Sequence, residues 1–307
     1  MKIAGLTLVG KRREPFLSAA LESVAEALDI IVVNDNGGNK ENRRALEEST
    51  LFKAGKLTII PSKFEGFASS RNLCLDYLKN LAKQDGDLWI LKLDADEVHT
   101  PGIVPLTRQI LPRLGPQVGG VDGYWLLFIQ SFEYFARLER RHDLLFRFSP
   151  EMSWEGRVHE KLNGKSGKVL ALPYLFFHYG YAASAAEIKA KWQLYRDMGD
   201  PNFDFLDKAD TDMLLDPDSQ TQFRLKAPHP LSARPTIEQL KNELGDSYLR
   251  FAGLIAKGQN LPNRLRLFLR YLNYRQLLWG RKMQGMADKA LRTGLKTLLR
   301  TNREYQI

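Results

Sequence analysis

The chain has 307 residues, a formal net charge of +9 and a single cysteine, Cys74. One cysteine excludes an internal disulfide and a cysteine-built zinc cluster. No apolar run reaches the roughly 18 residues of a membrane-spanning helix, and the apolar start at Met1 is cut off by Lys11-Arg12-Arg13-Glu14, too early for a secretory leader; a cytosolic protein is expected. Residues 3–9 (Ile-Ala-Gly-Leu-Thr-Leu-Val) read as a first buried strand. Pro15 to Leu28 has helical spacing, with Phe16, Ala20, Leu21, Val24 and Leu28 on one face. Ile30 to Val33 is a second strand, ended by the turn Asn34-Asp35-Asn36-Gly37-Gly38. A helix over 40–48, a third strand at Leu57–Ile60 and a helix over Phe67–Leu81 follow. Trp89 to Leu93 is a fourth, mostly apolar strand after the turn-like Asp85-Gly86-Asp87. Strand and helix alternate, which predicts an α/β fold: a mostly parallel sheet with helices on both faces.

Beyond His99 the pattern changes. Pro101 to Leu114 suits a helix broken near Pro112, then strands are expected at Gly123–Gln130, Asp143–Phe148 and Val169–His178, some of them antiparallel at one edge. Ala182 to Met198 is a predicted helix. Residues 199–235 are rich in Pro and Asp without a period and read as a linker or lid. Residues 236–307 read as a helical extension, so the layout is a body over 1–198, a connector and a tail.

The charge belongs to that tail. Residues 241–307 hold 14 Lys and Arg against 4 Asp and Glu, leaving 31 bases and 32 acids in the rest. Bases from Arg264 to Arg300 alternate with Leu, Phe, Tyr and Trp. A basic amphipathic segment can rest on an anionic membrane surface, or pack on the body with its charged side in water. No nucleic-acid motif accompanies the charge, and nucleic acid is not an expected partner.

The densest chemistry sits at Leu93-Asp94-Ala95-Asp96-Glu97. Residues i and i+2 of an extended chain point the same way, so Asp94 and Asp96 can both face one hard cation such as Mg²⁺ or Mn²⁺. The plain alternative has them capping the next helix or solvating a loop. Loops after the other strands bring Asp35, able to accept from a base N–H or ribose hydroxyl, and Arg71, able to hold a phosphate through two N–H groups. Neither a P-loop nor a dinucleotide glycine fingerprint is present.

Six stretches, taken together, resemble family 2 glycosyltransferases of the GT-A fold, close to the bacterial lipopolysaccharide-core and β-glycosyltransferase branch. They are Val33-Asn34-Asp35-Asn36-Gly37-Gly38, Ser69-Ser70-Arg71-Asn72, Leu93-Asp94-Ala95-Asp96-Glu97, Leu145-Phe146-Arg147, Trp154-Glu155-Gly156-Arg157-Val158-His159-Glu160 and Phe177-His178-Tyr179-Gly180-Tyr181. The resemblance implies an inverting transfer of a sugar from a nucleoside-diphosphate sugar, a UDP-sugar first, to a glycan or lipid-linked acceptor in cell-envelope polysaccharide synthesis. It implies that Asp35 and Arg71 hold the nucleotide, that Asp94 faces the donor sugar and that Asp96 binds Mn²⁺ or Mg²⁺. A further metal ligand is implied at His178 or His159. Glu160 is the implied base, with Glu155 and Glu97 as competitors and an ion pair with Arg147 or Arg157 as its plain alternative. The loop Lys11-Arg12-Arg13-Glu14 departs from the Asn-Glu of many members. Trp154, Tyr179 and Tyr181 are candidates to stack on a sugar or simply to pack, while His99, His142 and His229 read as surface. The competing classes are a nucleotidyltransferase and a non-catalytic binding module of the same shape. A protein resting on the inner face of the cytoplasmic membrane is the variant of the cytosolic reading that the tail allows.

Overall fold

The structure, a computed structural model, describes residues 1–203, 223–225, 227–245 and 298. Four strands open the chain: β1 (Lys2–Val9), β2 (Ile30–Asp35), β3 (Leu57–Pro61) and β4 (Leu88–Lys92). They are linked by α1 (Leu17–Val24), α2 (Lys40–Glu48), the short α3 (Thr50–Lys53) and α4 (Phe67–Asp85). All their mutual pairings are parallel, as the strand–helix alternation requires. Next come β5 (Glu97–His99), a helical turn α5 (Ile103–Pro105), β6 (Val118–Ile129) and β7 (Tyr134–Arg147). A small hairpin of β8 (Ser153–Glu155) and β9 (Lys161–Asn163) precedes the long β10 (Lys168–Tyr181). The described chain then adds α6 (Ala185–Asp197), β11 (Phe223–Arg224) and α7 (Arg234–Leu244).

The main sheet runs β3-β2-β1-β4-β7-β6-β10-β5, with β11 against β7. This is the expected GT-A, Rossmann-like α/β class, with a mixed sheet. The antiparallel pairings enter at β7, between β4 and β6, rather than only at an edge. The strands of the second half are also longer than expected. The first part of β7 carries Arg137-Leu138-Glu139-Arg140-Arg141-His142, a polar run without the apolar density that signals a strand, and it pairs with β6 all the same. The expected helix over Pro101–Leu114 is instead a chain of single turns.

Strand β4 shows why the sheet centre is dry. Successive side chains point to opposite faces, so Trp89, Leu91 and Leu93 join one core cluster and Leu88 and Ile90 another. Each fully buried side chain of this size contributes about 1.5–3 kcal/mol, which fixes the register at the strand end, where Asp94 begins. Leu298 is fully buried in the cluster that holds Trp89 and Phe176. Apart from Leu298, the basic tail beyond residue 245 and most of the 199–235 connector lie outside the described residues. No described helix is long and apolar enough to cross a membrane.

Candidate active site

Three separate devices bring the loops of the sheet edge together. The first is the turn after β2. Asp35 Oδ1 accepts from the backbone N–H of Gly37 and Gly38, at 3.2 and 2.9 Å. A Cβ at Gly37 would collide with the backbone of Gly10 and Lys11, so only glycine lets the turn lie on the loop after β1. Asn36 Nδ2 then donates to Ser70 Oγ at 2.6 Å and ties the turn to α4. A pocket of about 390 Å³ opens beside it, lined by Asp35, Gly38, Lys40, Arg43, Arg44 and Glu47.

The second device is Asn72. Its side chain accepts from Trp154 N at 2.7 Å and donates to Trp154 O at 2.9 Å, imitating a strand partner for β8. The hairpin is thereby docked on α4, and the loop between β8 and β9 delivers Glu160 to the neighbouring Arg71. Arg71 Nε donates to Glu160 Oε1 at 2.5 Å and Arg71 Nη2 to Asp94 Oδ1 at 2.7 Å. Lys92 stands 3.5 Å from Glu160 and 5.0 Å from the Trp154 ring centre.

The third device is the β5–β10 ladder. His178 pairs with Glu97 in the antiparallel register, and Tyr179 N donates to Asp96 O at 2.9 Å. The Asp-Ala-Asp-Glu turn is thus laid against β10, with His178 Nε2 3.1 Å from Asp96 Oδ1. The His178 ring is aligned by stacking on Trp125, centroids 4.3 Å apart, while its buried Nδ1 has no hydrogen-bond partner among the described residues. Lys191 on α6 reaches Asp96 Oδ2 at 3.3 Å.

The two aspartates therefore have different company. Asp94 lies between two guanidiniums, Arg71 on Oδ1 and Arg141 Nη2 on Oδ2 at 2.6 Å. Burial works to raise its pKa, but Lys92, Arg71 and Arg141 hold it well below the usual carboxylate value. Asp96 is partly buried, and although that burial works to raise its pKa, the charges of His178 and Lys191 keep it low. Glu97 is fully buried beside Arg141 at 3.3 Å and its pKa is raised, chiefly by burial. Glu160 is held low: burial opposes this, and Arg71 and Lys92 outweigh it. Burial, and then the charges of Arg71 and Arg141, bring Lys92 down to about 8. Burial, and then Asp96, push Glu14 up to about 7.

Set against the sequence reading, Asp94, Asp96, Arg71, Glu160 and His178 converge. Asp35 sits in its own turn, where its carboxylate already serves two backbone donors. His159 does not join them: it is exposed and its Nε2 lies 2.9 Å from Asp200 Oδ2. Accordingly no group of three or more His, Cys, Asp or Glu side chains suited to a metal gathers among the described residues, and the set Asp96, His178 and His159 is not assembled. Glu160 pairs with Arg71 and Lys92, not with Arg147 or Arg157. The capping alternative for the acidic pair also lapses, since Gly102 is the residue that precedes α5. Trp154 and Tyr179 are only 2 % exposed and pack. His99 is no surface residue: it is buried against Tyr174 Oη at 2.7 Å, and burial lowers its pKa to about 3. His229 is wedged between Tyr179 Oη and Phe132 O, whereas His142 is mostly exposed.

The sequence reading missed Lys92, Arg141, Lys191, Trp125 and Gly180. Lys92 did leave a signal, as the one charge inside a dry strand. Arg141 stands among several arginines and Lys191 on an ordinary polar helix, so neither had one.

Two of the described donors suit a divalent cation. A Cβ on Gly180 would press on Asp96 Oδ2 and stand 2.7 Å from His178 Nε2, so glycine keeps a cradle open between a carboxylate and an imidazole. Mg²⁺ and similar ions commonly take one or two protein ligands and fill the rest from substrate phosphates and water, and this donor set fits that pattern.

Residues 10–118 match the family model described as Glycosyl transferase family 2. That match, over about a third of the chain, supports a glycosyltransferase of family 2. A search of curated proteins finds no match. Among solved structures, a Bacillus anthracis protein described as a glucose-1-phosphate thymidylyltransferase, with sucrose, is 11 % identical, with TM-score 0.33 over 48 % of this chain and 71 % of that one. A 4-diphosphocytidyl-2C-methyl-D-erythritol synthase is 13 % identical, with TM-score 0.32 over 48 % and 74 %. A mycobacterial protein is 13 % identical, with TM-score 0.28 over 40 % of each chain. Likenesses this distant carry no weight for function.

Proposed function

We propose that this enzyme moves a sugar, with inversion, from a nucleoside diphosphate, a UDP-sugar in the first place, to a hydroxyl of a glycan or lipid-linked acceptor, as in the lipopolysaccharide-core branch of the family. The observation that carries the reading is the adjacency of two features: the Asp96–His178 cradle and the Arg71–Asp94–Glu160 triad. Asp96 and His178 would hold Mn²⁺ or Mg²⁺. When bound there, the ion supplies a Lewis acid for the diphosphate leaving group.

The remaining work falls to the chain. Arg71 keeps Nη1 buried and without a partner among the described residues, a donor ready for a phosphate oxygen. Asp94 orients that guanidinium and, with 29 % of its side chain exposed, faces the donor sugar. Asp35 presents its turn to the nucleoside. Glu160 takes the acceptor proton. While Arg71 is fully paired with it, Glu160 is a weak base; a diphosphate that drew on the Arg71 charge would raise its proton affinity, so donor binding would switch on the base. The basic tail would hold the enzyme near an anionic membrane where a lipid-linked acceptor resides.

The test is a panel of nucleotide sugars scored for thermal stabilisation in Mn²⁺, followed by product analysis with the stabilising donor. Release of a nucleoside diphosphate together with a glycosylated acceptor is expected. Release of pyrophosphate would place the enzyme with nucleotidyltransferases, and absence of turnover with every donor would make it a binding module.

A further inference from the structure

Lys191 is the best placed charge in the site without a role in that scheme. It comes from α6, a helix outside the matched stretch 10–118. Its ammonium lies 3.3 Å from Asp96 Oδ2 and 3.1 Å from Gly180 O, and 4.8 Å from the centre of the Tyr181 ring. An ammonium has three donors, and these contacts use two among the described residues. The same Cβ that would close the Gly180 cradle would stand 3.0 Å from Lys191 Nζ. The lysine therefore borders the same space as Asp96 and His178. Only 13 % of its side chain is exposed, so an anion entering that space meets a poorly hydrated charge, whose attraction water barely weakens.

Charge counting says what such a cation is for. The cations Arg71, Lys92 and Arg141 are matched by Asp94, Glu97 and Glu160, while Lys191 has only Asp96, whose other oxygen His178 already contacts. In the transfer, the bond from the anomeric carbon to the diphosphate oxygen breaks and its electron pair stays on that oxygen. The acceptor oxygen forms the new bond and gives up its proton. The leaving diphosphate thus gains a negative charge that the donor did not carry. A lysine on its flexible four-carbon stem, with a donor unused by these contacts, can turn to meet that increment, whereas Arg71 and Arg141 are held in fixed orientation by Asp94 and offer only the donors already aimed.

We propose that Lys191 is a diphosphate-binding residue: it rests on Asp96 and turns its remaining donor to the leaving diphosphate, giving the protein affinity for diphosphate without any metal. This rests on the reading of the cradle as the donor site, but its test does not depend on turnover. Binding of inorganic pyrophosphate and of UDP is measured by calorimetry in EDTA. Wild type is expected to bind both, and Lys191→Met to lose about 10-fold or more in affinity, of the order of one charge-assisted contact. Lys191→Arg should recover part of it. Asp96→Asn, which leaves the lysine in place but removes its counter-ion, should bind pyrophosphate more tightly in EDTA, and it keeps the idea testable if Lys191→Met does not fold. Equal affinity in wild type and Lys191→Met, unchanged or weaker pyrophosphate binding in Asp96→Asn, or no binding by wild type in EDTA each overturns the proposal and assigns Lys191 to a structural bridge. Metal-free binding that depends on Lys191, in a protein that turns over no nucleotide sugar, would uphold the lysine and sink the transferase reading.

Discussion

Asp94 and Asp96 stand two residues apart in one turn, yet they live in different surroundings. Asp94 is clamped by Arg71 and Arg141, planar groups from α4 and β7 that meet a carboxylate in a fixed geometry. Asp96 is met by an imidazole and an ammonium across a cradle that glycine keeps open. The first arrangement is fixed in geometry and knits three parts of the fold together. The second is adjustable, because Lys191 carries its charge at the end of a flexible four-carbon stem. One acidic motif thus divides into a structural half and an exchangeable half, and the exchangeable half is where a cation and a leaving group would come.

The widest separation of the two halves should appear in Asp96→Asn. Transfer in Mn²⁺ is expected to fall by about 10²–10³-fold, since a Lewis acid supplies several kcal/mol, while the denaturation midpoint stays near that of wild type. A normal rate would merge the halves again. Arg141→Leu probes the other side. It leaves Asp94 and the fully buried Glu97 short of a partner, and breaking a buried pair costs about 3–5 kcal/mol. The lower end is expected because Asp94 keeps 29 % of its side chain exposed; urea unfolding would read the loss, and an unchanged midpoint would deny Asp94 its structural role.

Glu160→Gln sits between them. As the base, Glu160 should give about a 10²-fold loss in kcat with the donor KM little altered. A raised KM with kcat intact would mean that it only positions Arg71. The smallest effect belongs to Gly180→Ala. The added methyl fills the cradle rather than removing a ligand, so Mn²⁺ affinity, followed by the ion's paramagnetic resonance, should weaken about 10-fold, the scale of perturbing a ligand's surroundings. An affinity equal to wild type would show that the ion does not sit between Asp96 and His178.

Much of the fold was legible because it is local. Runs such as Ile30–Val33 and Trp89–Leu93 are dense in apolar residues and bounded by turn residues, so the parallel half of the sheet follows from spacing alone. Strand β7 was only half visible, since the part that carries Arg140 and Arg141 has no apolar pattern and is a strand only because β6 pairs with it. The same division holds for the site. Asp94 and Asp96 announce themselves as acids at the end of a dry strand, and Arg71-Asn72 as a polar pair at the start of a helix. That Asn72 works as a clip for Trp154 is invisible until β8 lies beside it. His178 and His159 looked alike in sequence, and only the β5–β10 register sends one to Asp96 and leaves the other beside Asp200.

By itself, then, the sequence determined the alternating α/β body, the acidic turn and the arginine near the start of α4, because each is written in residues close along the chain. The tertiary structure decided which cation meets which carboxylate. Lys191 lies 95 residues from Asp96 and Arg141 lies 47 residues from Asp94, and electrostatic partners that distant are set by where the sheet and α6 place them in space, a choice that no local pattern encodes.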